Sequence, residues 1–211
     1  NNNTAVGTGA LKLNTTGTPN DAFGFQSLYN NTTGVNNVAV GYQALYTNTT
    51  GIQNTAVGKQ ALYLNSVGVA NTGIGNGALG SNAASFNTAV GALALQANTT
   101  GTPNDAFGYD ALYNNTTGTN NVAVGYQSGY ANSTGSYNTN LGTFAGFYNQ
   151  TGNANTFVGY GSGPNTGSVT SVSNCTAVGY LALSKLTTGT PNDAFGYQAL
   201  YSNTTGYSNL A

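Results

Sequence analysis

Few side chains in this 211-residue chain could take part in acid–base, nucleophilic or metal chemistry. Asp21, Asp105, Asp110, Asp193, Lys12, Lys59, Lys185 and Cys175 are the set, with no His, Glu or Arg beside them. A glycosidase-type mechanism needs two carboxylates across one bond. Three of the aspartates recur at equivalent places, and Asp110 would need Asp105, five residues before it, as its partner, a pairing the repeat does not evidently provide. A single cysteine without histidine makes neither a Cys/His nucleophile nor a metal cluster, and it cannot close an internal disulfide. Glycines are frequent, but no Lys and helix start follow them as a phosphate-binding loop requires. The inventory predicts a protein that is not an enzyme and carries no cofactor and no metal.

Partners are constrained by the same scarcity of charge. Three dispersed cations cannot make the clustered basic surface that phosphate backbones or anionic lipids demand, so nucleic acid is not an expected partner. No apolar run approaches membrane-spanning length, and membrane insertion of this segment is not expected. The formal net charge of -1 gives little repulsion between copies, which favours self-association.

What fixes the position of these few residues is a repeat. A glycine preceded by a large apolar residue recurs at Gly7, Gly24, Gly41, Gly58, Gly75, Gly91, Gly108, Gly125, Gly142, Gly159, Gly179 and Gly196. Nine of the eleven intervals are 17 residues, with one deletion before Gly91 and one insertion of three before Gly179. Three residues after each glycine stands Ala or Ser, followed in most copies by Leu. Glycines and β-branched residues in every unit, Asn-Thr-Thr-Gly clusters in six, and no 3.6-residue apolar stripe argue against helix. The unit predicts two short strands, one around Thr-Ala-Val-Gly-Tyr and one around Ala-Leu-Tyr, joined by an Asn-Thr-Thr-Gly turn.

The expected fold is therefore all-β: a parallel β-solenoid of about twelve coils of 17 residues, one array over residues 1–211. At about 4.8 Å per coil the rod is roughly 60 Å long. The chain opens inside one repeat and stops inside another, which reads as a segment of a longer fibre. Exposed ladder edges at its ends predict end-to-end association.

Stacking puts like residues in columns. Asn3, Asn20, Asn37, Asn54, Asn71, Asn87, Asn104, Asn121, Asn138, Asn155 and Asn192 lie four residues before the glycine, with Cys175 the one replacement. A second column lies seven after it. Both predict asparagine ladders, each amide bonding the coils above and below. Cys175 then reads as a small residue tolerated within a ladder. Tyr42, Tyr109, Tyr126, Tyr160, Tyr180 and Tyr197 form an aromatic column just after the glycine, and Tyr29, Tyr46, Tyr63, Tyr113, Tyr130 and Tyr201 form another. Packing or a subunit interface is the favoured reading of these columns, over a ligand-binding stripe.

A longer period overlies the short one. Gly-Thr-Pro-Asn-Asp-Ala-Phe-Gly occurs at 17–24, 101–108 and 189–196, five coils apart each time. This reads as block duplication, and places Asp21, Asp105 and Asp193 about 24 Å apart, too far to share an ion.

Asn36-Asn37-Val38-Ala39-Val40-Gly41 and its relatives resemble the Asn-Ser-Val-Ala-Ile-Gly motif of the head domains of trimeric autotransporter adhesins, and similar repeats of phage tail-fibre shafts and bacterial surface fibres. The resemblance implies a left-handed parallel β-roll, three chains packed about the long axis, and a head that binds host matrix or another surface. The repeat here is a few residues longer, and its Leu-Tyr pair is not part of the basic motif.

A structural extracellular fibre or adhesin head segment is thus the expected function, displayed on a cell or virion surface, with homotrimer or filament partners and host matrix protein or glycan as possible ligands. Two alternatives stand. Threonine ranks such as Thr15-Thr16 and Thr49-Thr50 could order water as in an ice-binding solenoid, although adjacent threonines point to opposite faces. A tail-fibre shaft or passive spacer would need no ligand. Asn-x-Thr triplets at Asn14, Asn31, Asn48, Asn98, Asn115 and Asn203 match the glycosylation pattern, but they repeat because the turn repeats.

Overall fold

The computed structural model describes residues 2–165 and 170–211. Each coil places one short strand in a single parallel sheet, in the order of the sequence. The strands are β1 (Thr4–Val6), β2 (Asn20–Phe23), β3 (Asn37–Val40), β4 (Thr55–Val57), β5 (Thr72–Ile74), β6 (Thr88–Val90), β7 (Asn104–Phe107), β8 (Asn121–Val124), β9 (Thr139–Leu141), β10 (Thr156–Val158), β11 (Thr176–Val178), β12 (Asn192–Phe195) and β13 (Asn209–Leu210). Like pairs with like: Ala22 stands beside Ala39, Ala39 beside Ala56, Asn20 beside Asn37. No helix occurs among the described residues. The all-β parallel solenoid with coils of about 17 residues is the fold expected.

One element differs from expectation. The Ala-Leu-Tyr segment is a run of turns, so a coil has one strand and not two. The cause is backbone hand: Leu28, Leu45, Leu62, Leu95 and Leu112 all have φ near 50°, and so do Gln26, Gln43 and Gln60 two residues earlier. This left-handed conformation cannot belong to a strand and costs a non-glycine residue about 1–2 kcal/mol. Full burial of a leucine side chain is worth about 1.5–3 kcal/mol. Each of these leucines is completely buried, so burial outweighs the backbone cost. The backbone also stays bonded between coils, with the Leu28 N–H donating to the Ala44 carbonyl at 3.0 Å and Leu45 to Ala61 at 3.0 Å.

The core is one column wide. Strand residues alternate, Asn and Ala inward, the residue between them and the large apolar residue outward. Ala22, Ala39, Ala56 and Ala106 face Leu28, Leu45, Leu62 and Leu112 with no exposed surface. Where leucine is missing, the opposite position grows. Gly129, Gly146 and Gly163 replace it, and the inward strand residue becomes Asn140 or Phe157. A Cβ on Gly163 would stand 2.6 Å from the Phe157 ring, which occupies the vacated space. In that coil the larger ring offsets the lost leucine, as a close-packed interior demands.

Glycine at the anchor is required twice over. Gly125 has φ 135°, and a Cβ there would lie 2.6 Å from the Gly142 carbonyl carbon of the next coil. The coils approach each other through these backbones.

Candidate functional site

Two asparagine ladders run through the interior and meet at one acceptor per coil. Asn20 Nδ2 donates to the Gly34 carbonyl at 2.8 Å, and Asn31 Nδ2 donates to the same oxygen at 3.0 Å. This joins the start of a coil to its end. Between coils, Asn20 Oδ1 accepts both the Asn37 backbone N–H (3.0 Å) and Asn37 Nδ2 (3.1 Å). The pattern continues through Asn54, Asn71, Asn87, Asn104, Asn121, Asn138 and Asn155, each Oδ1 receiving the next backbone N–H at 2.9–3.1 Å. Asn3 begins it, accepting from Asn20 N–H at 2.8 Å, and Asn192 resumes it toward Asn209. In the second column Asn31 donates to Asn14, Asn48 to Asn31, and Asn115 to Asn98.

The ladders break together at one level. Cys175 replaces the first amide and Leu186 the second, and both are buried with Val172. The Asn192 backbone N–H faces the sulfur, where other rungs present an amide oxygen. Burial pushes the Cys175 thiol above its ordinary value; the Asn192 N–H opposes that rise and the Asp193 carboxylate adds to it. The thiol is neutral at physiological pH.

Aromatic columns are stacked as rings. Tyr42 lies on Phe25 at 5.4 Å between centroids, Tyr109 on Tyr126 at 5.5 Å, Tyr160 on Tyr180 at 5.4 Å and Tyr180 on Tyr197 at 5.3 Å. Within each stacked run the ring faces are spent on one another, and solvent meets edges and hydroxyls. Such a column is poorly suited to stack on sugars along its length, and well suited to packing against another apolar surface. The residue before the anchor glycine adds a second exposed column: Phe23, Val40, Phe107, Val124 and Phe195 are 37–55% exposed. The column before the glycine is apolar in every coil, and the aromatic column beside it is interrupted by Lys59, Asn76, Ala92 and Thr143.

Turn threonines are committed elsewhere. Thr32 and Thr49 donate their hydroxyls to the Thr49 and Ser66 carbonyls of the next coils at 3.0 Å. Backbone N–H groups of Thr15, Thr16 and Gly17 converge on the Thr32 carbonyl as well. The first threonine of each pair is thus a rung of the solenoid, while the second, as at Thr33 and Thr50, is exposed. Asn31, Asn48, Asn98 and Asn115 of the Asn-x-Thr triplets are wholly buried, with their amides in the ladder, so the folded chain does not offer them for glycosylation.

Asp21, Asp105 and Asp193 sit half-buried on the outward strand face, in register with Thr or an aliphatic residue on either side. Asp110 occupies a column of glutamines, accepts from Gln127 Nε2 at 3.2 Å through Oδ2, and has an unpartnered Oδ1. No group of three or more potential metal ligands occurs among the described residues.

The glutamine ladder, in which Gln43 Nε2 donates to Gln26 Oε1 at 2.9 Å and Gln60 to Gln43 at 3.2 Å, was not anticipated from the residues. Its signal was there as Gln at 26, 43, 60, 127 and 198, two after the anchor each time. No protein-family model, curated protein or solved structure matches the chain.

Proposed function

We propose that this chain is a section of an extended structural fibre, displayed outside the cell or on a virion surface, in which copies of the rod pack side by side through the two exposed columns. The observation that carries the reading is the pairing of an interior ladder-bonded in all but one coil with an outward apolar column that runs from Val6 to Phe195. A rod of 13 strands spans roughly 58 Å, and two adjacent side-chain columns make a strip of roughly 700 Å² per copy. That is close to the ~800 Å² per partner of a standard stable interface, and larger than a monomer usually leaves exposed. The resemblance of the repeat to trimeric adhesin heads favours three copies about the axis, with Tyr42, Tyr109, Tyr126, Tyr160, Tyr180 and Tyr197 at the contact.

Sedimentation velocity tests this directly. A multimer that persists at 1 M salt is expected, since the strip carries apolar and aromatic groups and little charge. Phe107→Lys with Tyr126→Lys shifts it to monomer with an unchanged β-sheet circular dichroism spectrum. A monomer at all concentrations rejects the side-by-side fibre. Binding of matrix proteins or glycans by the assembled form separates an adhesin from a shaft or passive spacer.

A second reading rests on the outward strand face. Thr55, Thr72 and Thr88, then Thr139, Thr156 and Thr176, stand in rank, each two residues from Val, Ile or Leu. Thr-x-Val ranks on a flat sheet could order water, but Phe23, Phe107 and Phe195 project between them. Thermal hysteresis at micromolar protein supports ice binding, and its absence leaves the fibre.

A further inference from the structure

A rung is missing from one aromatic column. Tyr29, Tyr46 and Tyr63 stack at 5.3 Å, and the Lys12 ammonium sits 5.4 Å over the Tyr29 ring, closing that end. In the next coil the equivalent position is Gly80, so no ring covers the far face of Tyr63; the coil after that brings Gln96. Two coils separate Tyr63 from Gln96, about 9.6 Å, which is the room for one more ring at stacking distance on each side.

The glutamine ladder stops at the same level. Gln60 donates Nε2 to Gln43, and Gly77 in the next coil brings no amide to Gln60 Oε1. Both glycines therefore open the same notch, a cleft of about 260 Å³ lined by Gln60, Tyr63, Leu64, Asn76, Ser81, Leu93 and Gln96. Leu93 leans over Gly77, where a Cβ would come within 2.9 Å of it, and makes the floor. Gln96 Nε2 reaches to 3.8 Å from the place a Gly80 Cβ would take.

We infer that this notch binds a single neutral pyranose ring of a glycan. One wall is a free aromatic face, suited to the C–H face of a sugar. The rim is three carboxamides and a hydroxyl, which match the hydroxyls that ring a pyranose and would stand unpaired around a hydrocarbon. No lining residue is charged, which selects neutral sugars over sialic or uronic acids. The volume lies just under the ~300 Å³ where drug-sized pockets begin, the size of one ring and not of an oligosaccharide groove. The notch borders the fibre contact through Asn76, which stands in the column of Tyr42 and Tyr109, while Gln60, Tyr63, Ser81 and Gln96 lie farther along the turn segment.

Saturation-transfer NMR on the whole chain tests it, using the methyl glycosides of glucose, galactose and mannose and free N-acetylglucosamine at millimolar concentration, the affinity expected of a one-ring contact. Transfer to the C–H protons of one face of at least one sugar is expected. Gly80→Tyr supplies the missing rung with the residue other coils carry there, and Tyr63→Leu removes the face while keeping the coil filled. Each should cut the signal about tenfold or more with an unchanged circular dichroism spectrum and sedimentation coefficient. No transfer to any sugar overturns the assignment, as does equal transfer in Gly80→Tyr. Binding of p-cresol with none of the sugars also overturns it, and makes the notch a socket for a tyrosine side chain.

Discussion

Asn121 Oδ1 accepts two donors from Asn138, and Asn121 Nδ2 donates to the Gly135 carbonyl, all out of contact with water. Truncating it to alanine leaves two buried donors unpaired, at about 1–3 kcal/mol each. Asn121→Ala should therefore lower unfolding free energy by about 3 kcal/mol or more in urea titration. Asn114→Ala, which removes one half-buried bond to the Tyr130 carbonyl, should cost about 1 kcal/mol or less. Equal losses would mean that the ladder amides are ordinary surface bonds. Cys175 supplies a pH test. Its proton is held more tightly in the fold than in the unfolded chain, so its contribution is complete below about 9, the ordinary thiol value, and falls as pH rises toward the folded value. Wild type should lose stability over that range relative to Cys175→Ser. Maleimide at pH 7 should label the native thiol about 100-fold more slowly than the unfolded one.

Strand and turn segment answer to different constraints. At the end of the strand, Gly125→Ala meets both a φ of 135° and the Gly142 backbone, and should destabilise by about 3 kcal/mol or more, measured by thermal unfolding. In the turn segment, Leu112→Gly relieves a φ of 50° but empties a filled core position, for a net loss of about 2–4 kcal/mol. The strand was readable from the sequence, because its Asn, Ala and Val columns and its anchor glycine repeat with little variation. The turn segment was misread as a second strand because Leu and Tyr are good strand residues and leucine seldom adopts positive φ. A signal did exist. Gly9, Gly77 and Gly161 replace Gln two after the anchor, and Gly129, Gly146 and Gly163 replace Leu four after it, which is where left-handed backbone is needed. The notch at Tyr63 could not be read from a unit consensus, since it consists of what one coil lacks.

Along the rod, each coil contacts its two neighbours, so stability is close to a sum of nearest-neighbour terms. The weakest of these should lie where Cys175 and Leu186 interrupt both ladders. Amide hydrogen exchange should be faster in β11 and β12 than in β3 or β8, and Cys175→Asn with Leu186→Asn should slow it, by restoring two rungs worth about 1 kcal/mol each. Uniform protection from end to end would mean that the apolar replacement at Val172, Cys175 and Leu186 holds the coils as firmly as the amides do.

The outward strand face carries its own sequence: Asp and Phe, Val and Val, then three threonine coils, and the set begins again at β7 and at β12. Two rods laid alongside each other can match these sets in phase, or slipped by one whole set, about 24 Å, but by no smaller step. If copies pack side by side as proposed but do not close into a ring of three, their lateral register is thereby set in whole sets. Copies joined one set out of phase overhang by a fixed amount and expose a fresh matching surface for the next. Electron micrographs of the assembled protein should show stagger in multiples of about 24 Å, and insertion of a single 17-residue coil between β6 and β7 should abolish that spacing.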